Sequence, residues 1–236
     1  MNTHTTQLTG RPLIKVCGIT NEADALFAAQ AGADYLGFIL NYPVSPRYIT
    51  LVEAQSLIQR VRQLFPRVKI VGVFVDASAD TVCTIAKNMH LDVVQLHGQE
   101  PVTEVQTIHI VGQRHDFKVF KTVELHRAHD LELITTYETV ADLILLDAGK
   151  GSGKSIQTHL LKAARSSVPI GIAGGLKPHN VLEIMKQHQP ALVDVNSGVE
   201  SVPGKKDRAG LKTFITHVRY GLAGEFGTEL KAPKHI

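Results

Sequence analysis

Residues 169–198 hold the pattern that decides the fold. Pro169-Ile170-Gly171-Ile172-Ala173 is a short apolar run, and Gly174-Gly175 interrupts it. A segment with helical spacing then runs from about Pro178 to His188, with Pro178 suited to a first helical turn. A second apolar run, Leu192 to Val195, ends at Asn196-Ser197-Gly198. Runs this short suit strands covered on both faces, and parallel strands need a helical crossover between them. The same order recurs towards the N-terminus. Further strands are expected at Leu13 to Cys17, Tyr35 to Leu40, Lys69 to Val75, Asp92 to Leu96, Phe117 to Phe120 and Asp142 to Leu146. Helices are expected at about Asn21 to Ala31, Thr50 to Leu64, Ser78 to Asn88, from near Glu100, Glu124 to Tyr137, Ile156 to Arg165 and Asp207 to Tyr220. Eight βα units in one chain fit an α/β protein made of a single (β/α)8 barrel over residues 13–221. A doubly wound open sheet has the same periodicity and stays open at this point. Residues 1–12 and 222–236 are expected to be a flexible extension and a flexible tail.

Composition narrows the function classes. Hydrophobic residues make up 44% of the 236, as a packed globular chain requires. Lys and Arg number 25 against 22 Asp and Glu, a net charge of +3, and no basic stripe alternates with aromatics. A nucleic-acid partner is therefore not expected. No apolar run approaches the ~18 residues of a membrane helix, and the first residues lack a secretory pattern, so no membrane partner is expected. Two cysteines, Cys17 and Cys83, make no disulfide framework and suit a cytoplasmic protein; Cys83 reads as a buried helix residue. His126 and His129 have HxxH spacing but no third ligand nearby, so no metal is expected. Monomer and homodimer are both open.

In a parallel barrel, chemistry sits where strands end at their C-terminal side. Cys17 follows the first strand, Arg47 lies in the loop after the second, His97 follows the fourth, Lys121 the fifth and Asp147 the sixth. Gly174-Gly175 and Ser197-Gly198 follow the seventh and eighth, where backbone N–H groups can cradle a phosphate. A ligand phosphate held there would lie between Cys17 and Asp147. That pair could move protons on a sugar phosphate, the carboxylic acid giving and the thiolate taking. Arg47, in a segment stiffened by Pro43 and Pro46, can grip a carboxylate bidentately. Ala148 to Ser155 fits a relaxed phosphate-loop pattern, but its first position is Ala148 instead of Gly, and a loop over the barrel mouth suits it better.

Taken together, the motifs resemble phosphoribosylanthranilate isomerase of tryptophan biosynthesis. Lys15-Val16-Cys17-Gly18-Ile19-Thr20 opens the match, followed by Gly32-Ala33-Asp34 with Gly37-Phe38, and by Ser45-Pro46-Arg47-Tyr48. Val71 to Asp76, Val94 to Gly98, Leu145 to Asp147, Ala173 to Leu176, Asp194 to Glu200 and Pro203 to Asp207 follow in order, so the resemblance covers about residues 13 to 220. It implies a (β/α)8 barrel, no cofactor, and a small sugar phosphate as substrate. The implied reaction is the Amadori rearrangement of N-(5'-phosphoribosyl)anthranilate to an open-chain aminodeoxyribulose phosphate. It implies Asp147 as general acid at the ribose ring oxygen and Cys17 as general base at C2. Arg47 would hold the anthranilate carboxylate, Gly174, Gly175, Ser197 and Gly198 the phosphate, and His97 would line the site. The sequence departs from the pattern after Lys154, where Ser155-Ile156-Gln157 replaces the usual Phe-Asp-Trp, and the chain has no Trp. That change leaves open a shifted aminoaldose-phosphate substrate, or a non-catalytic barrel binding phosphorylated metabolites.

Overall fold

The computed structural model describes residues 11–147 and 158–221. The glycine loop from Ala148 to Ser155, the expected helix start at Ile156, the tail and nearly all of the N-terminal extension lie outside the described residues. Elements alternate as the sequence leads one to expect: β1 (Leu13–Val16), α1 (Glu22–Ala31), β2 (Tyr35–Ile39), α2 (Leu51–Leu64), β3 (Lys69–Phe74), α3 (Ala79–Asn88), β4 (Val93–Leu96) and α4 (Val102–His115). The second half holds β5 (Lys118–Glu124), α5 (Glu132–Tyr137), β6 (Leu143–Asp147), α6 (Thr158–Ala163), β7 (Ile170–Ile172), α7 (Val181–His188), β8 (Leu192–Val195), β9 (Glu200–Val202), β10 (Lys205–Lys206) and α8 (Arg208–Tyr220). The strands β1 to β8 close into a parallel barrel, with β1 paired to β8, which excludes the open sheet. Local chemistry sets the helix starts: Asn21 accepts from the Asp24 N–H, Ser78 from Thr81, and Thr50 exchanges hydrogen bonds with Glu53 in a capping box.

Three expectations need correction. The fifth strand does not stop at Phe120 but runs to Glu124, because its pairing with β6 continues to Glu124 opposite Asp147. Lys121 is therefore inside the strand and buried, its Nζ 2.8 Å from Glu100. The helix expected from Glu124 shrinks to a 3-10 turn over Ala128–Leu131 followed by α5. Pro178 precedes α7 instead of opening it: Asn180 accepts from the Lys177 N–H and donates to the Gly175 carbonyl, so its side chain shapes the loop. The β9–β10 hairpin was not expected at all.

Strand alternation divides the core into two layers. On β6, Ile144 and Leu146 pack outward under the helices, while Leu143 and Leu145 point into the barrel with Val71 and Val73 of β3, Phe120 and Leu192. The polar residues of the site continue the inward rows upward, as Asp147 continues Leu143 and Leu145.

At the opposite end, one device repeats. Asp34, Asp92 and Asp142 each precede an even-numbered strand. Each donates its own N–H to, and accepts a side-chain hydrogen bond from, one residue of the strand before: Ile14, Ile70 and Val119 respectively. The carboxylate so satisfies an N–H that the ladder leaves open. The fourth such position is Ala191, which keeps only the backbone bond to Ile170. Asp34 also holds Arg219 of α8 at 2.7 Å, and Arg219 donates to the Gly32 carbonyl, tying the last helix to the first unit. Replacing Asp34 by Ala strands the Ile14 N–H and leaves the Arg219 guanidinium with the Gly32 carbonyl but without its carboxylate. We expect a loss of about 1–3 kcal/mol in urea-induced unfolding, larger than that of Arg219→Ala, which leaves Asp34 its backbone donor.

Candidate active site

A cavity of about 390 Å³ opens at the C-terminal end of the barrel strands. All eight residues singled out from the sequence line it: Cys17, Arg47, His97, Asp147, Gly174, Gly175, Ser197 and Gly198. Cys17 sits just past β1, with its N–H bonded to the Val195 carbonyl, and is 6% exposed. Asp147 ends β6 on another wall of the cavity.

His97 lies beside the acid, Nε2 3.6 Å from Asp147 Oδ2. Burial, helped by the charge of Lys15, pushes its imidazole down to about 4, so it is neutral at neutral pH. Its Nδ1 is 3.5 Å from Gln95 Nε2, which donates to Thr122 Oγ1. His97 therefore contributes shape and a neutral polar ring, not a cation for Asp147.

Arg47 is held from behind. Its Nε and Nη2 both donate to the Glu200 carboxylate, at 2.7 Å for the shortest contact. Burial pushes the Glu200 carboxyl up, but hydrogen bonding to Arg47 and the Lys206 charge outweigh it and hold it below the usual range. Lys206 Nζ reaches both Glu200 and Asn196 Oδ1. The hairpin carrying Glu200 and Lys206 thus braces the loop after β2.

The glycine cradle is built of close approaches. Gly174 and Gly175 have φ of 73° and 66°, a region that strains any other residue. A β-carbon on Gly198 would collide with the Leu176 carbonyl, so the loops after β7 and β8 meet backbone to backbone. Aliphatic Ile39, Val73 and Val75 and the Tyr42 ring give the cavity an apolar wall near Arg47.

Lys121, named as a strand-end residue, is turned into a buried pair with Glu100 and does not line the cavity. His126 and His129 are largely exposed and lie 3.1 and 3.3 Å from Glu124 and Glu132. Among the described residues no cluster of His, Cys, Asp and Glu could hold a metal ion, and no helix is long and apolar enough to cross a membrane. Sequence reasoning missed Glu200, Lys206, Gln95 and the buried pair Lys15–Asp194. The signal available for the last was a charge set inside the apolar runs Leu13-Ile14-Lys15-Val16 and Leu192-Val193-Asp194-Val195.

A closed barrel with an acid, a thiol, an arginine and a glycine cradle gathered at its strand ends is the arrangement of a (β/α)8-barrel enzyme. The model of the family N-(5'-phosphoribosyl)anthranilate (PRA) isomerase matches residues 14–217. The N-(5'-phosphoribosyl)anthranilate isomerase of Thermotoga petrophila is 37% identical over 211 residues, covering 87% of this chain and 98% of its own. The crystal structure of phosphoribosyl anthranilate isomerase from Thermotoga maritima superposes with a TM-score of 0.77 at 36% identity, over 88% of this chain and 98% of that one. A structure of phosphoribosyl anthranilate isomerase in complex with reduced 1-(o-carboxyphenylamino)-1-deoxyribulose 5-phosphate gives 0.73 at 36% identity, over the same shares of the two chains. The chain belongs to the N-(5'-phosphoribosyl)anthranilate isomerase family.

The depressed imidazole of His97 has a consequence for stability. The unfolded chain takes up this proton near the ordinary histidine value of about 6.5 and the folded chain only near 4. Stability is therefore full above about pH 6.5 and falls as the pH drops towards 4. Urea unfolding at pH 7 and pH 5 should show a steeper acid loss for the wild type than for His97→Gln, the difference being on the order of 1 kcal/mol.

Proposed function

We propose that Asp147 and Cys17 carry the acid and base steps by which this chain isomerises N-(5'-phosphoribosyl)anthranilate to 1-(2-carboxyphenylamino)-1-deoxyribulose 5-phosphate in tryptophan biosynthesis. One observation carries the assignment of roles: the thiol and the carboxylate line one cavity, and that cavity also holds the arginine and the glycine cradle. The phosphate binds the backbone of Gly174, Gly175, Ser197 and Gly198, and the anthranilate carboxylate binds Arg47. The aromatic ring rests on the apolar wall. These contacts orient the ribose between Cys17 and Asp147.

Asp147 gives a proton to the ribose ring oxygen. The C1–O bond breaks as the anthranilate nitrogen lends its lone pair to form a C1=N iminium. The Cys17 thiolate then takes the proton from C2, which the iminium acidifies, and the electron pair returns through C1=C2 to nitrogen. Protonation at C1 and loss of the enol proton give the ketone. Hydrogen has moved from C2 to C1, so C2 is oxidised and C1 reduced within one molecule. The net change needs no external electron acceptor, in keeping with the cofactor-free reaction implied by the sequence. A neutral His97 beside Asp147 suits this scheme, because a fixed cation there would hold the acid ionised. The cytoplasm is the compartment this reading assigns.

Substrate generated in situ is fluorescent through its anthranilate group, so turnover is read as loss of fluorescence. Asp147→Asn and Cys17→Ala should each lower kcat by about 10³-fold or more while the phosphate and carboxylate contacts keep binding near wild type. Undiminished turnover in either variant would remove that residue from the mechanism. Gly198→Ala should act differently: the new methyl group forces the Leu176 carbonyl away and raises KM at least tenfold, without the loss of the acid–base pair.

A further inference from the structure

Lys15 is wholly buried in the barrel interior, two residues before Cys17 on the same strand, so both side chains face inward. The register of β1 against β8 sets Lys15 opposite Asp194, and Nζ lies 2.7 Å from Asp194 Oδ2. Asp194 itself reaches the cavity, and its Oδ1 makes no hydrogen bond among the described residues. On the other flank of β1, β2 offers Gly37. A β-carbon there would lie 2.9 Å from Cys17 Sγ and 3.0 Å from Lys15 Nζ. Sulfur and ammonium therefore converge on the space above one glycine, and any larger residue would separate them.

A buried ammonium is costly, and an apolar pair of the same volume would pack as stably. The sulfur needs what the lysine supplies. Burial, the largest effect, holds the Cys17 thiol above its ordinary range and the Asp194 charge adds to it; Lys15, and less strongly Lys206, pull it part of the way back. Arg47, from the loop after β2, is also electrostatically coupled to the sulfur. Among the described residues, the other ionisable groups lining the cavity are Tyr42 in the loop after β2, His97 after β4 and Asp147 on β6. Of these groups Lys15 is fixed at the thiol by a buried partner, whereas Lys206 is committed to Asn196 and Glu200.

We infer that Lys15 is a positioning residue for proton abstraction: held by Asp194 and admitted by Gly37, its ammonium orients the Cys17 side chain and stabilises its thiolate. This rests on the base role given to Cys17 above. Lys15 keeps its proton throughout. Cys17 loses its proton to solvent before the substrate closes the cavity, and the thiolate so formed takes the proton from C2.

The test uses the full chain with Cys83→Ser, leaving Cys17 as its one thiol. Thiolate formation is followed without substrate, by absorbance at 240 nm and by the rate of alkylation with iodoacetamide across pH. Lys15→Met should move the Cys17 titration up by about one unit or more, a tenfold smaller thiolate fraction at neutral pH. The pH profile of kcat/KM should move with it, so that the loss at pH 7 shrinks at pH 9. Lys15→Met with Asp194→Asn removes both charges together and keeps the test open where the single variant folds poorly; its upward shift should be smaller than that of Lys15→Met, because the Asp194 charge that pushes the thiol up is lost as well. A titration unmoved in the folded variants, checked by circular dichroism, overturns the role of Lys15 alone. Undiminished turnover in Cys17→Ala overturns the base role and this inference with it.

Discussion

The pairing of β1 with β8 closes the barrel, and most of the structure follows from it. Closure removes both sheet edges and forces half of every strand's side chains into a narrow interior. Apolar residues fill the lower part of that interior, with Val71, Val93, Leu143 and Leu192 among them. On the closing seam the interior instead holds Lys15 against Asp194. Removing one member of such a pair leaves a buried charge without a partner, so the two strands are bound to keep or lose these residues together. The seam therefore does two jobs: it completes the hydrogen-bonded ring and it sets a fixed charge below the thiol.

Stability and chemistry occupy opposite ends of the barrel, as is usual for this architecture. At the N-terminal end, Asp34, Asp92 and Asp142 lock strands in pairs, and Arg219 draws α8 onto the first unit. Those carboxylates are spent on backbone donors and surface cations. At the C-terminal end Asp147 and Asp194 line the cavity, and Glu200 holds Arg47 and Lys206. Glu100 also serves the C-terminal end: it accepts from the backbone of Asp76 and Gly98 and holds Lys121, bracing the loops after β3 and β4.

The sequence made the fold legible wherever burial was written in the residue types. The apolar runs at β3 and β6 and the caps Asn21, Thr50 and Ser78 mark their elements closely. The eight cavity residues were legible for a related reason: in a parallel barrel, the position after each strand is the position of the site. What escaped depends on partners distant in the chain. β5 looked finished at Phe120 because Lys121, Thr122 and Glu124 are polar, yet Glu100 neutralises Lys121 from the preceding unit. Lys15 and Asp194 are 179 residues apart, and Arg47 and Glu200 are 153 apart. No local pattern announces that two such charges meet. The β9–β10 hairpin escaped because its strands are two and three residues long and Glu200 on it reads as a solvated charge.

That hairpin fixes the one arginine that lines the cavity among the described residues. Two prolines stiffen the backbone of the Arg47 loop but leave its side chain free, and an unsupported arginine loses side-chain freedom on gripping a carboxylate. Here Glu200 already engages Nε and Nη2, and Glu200 is itself fixed by Lys206 and by the N–H of Gly204. Thr20, after β1, donates to the Gly204 carbonyl and anchors the hairpin to the strand that leads to Cys17. Much of the side-chain ordering at Arg47 is therefore done by the protein itself. The same chain of contacts links Arg47 to the β1 end of the cavity. A change in the hairpin should therefore be felt at both places, although Glu200 touches only one of them.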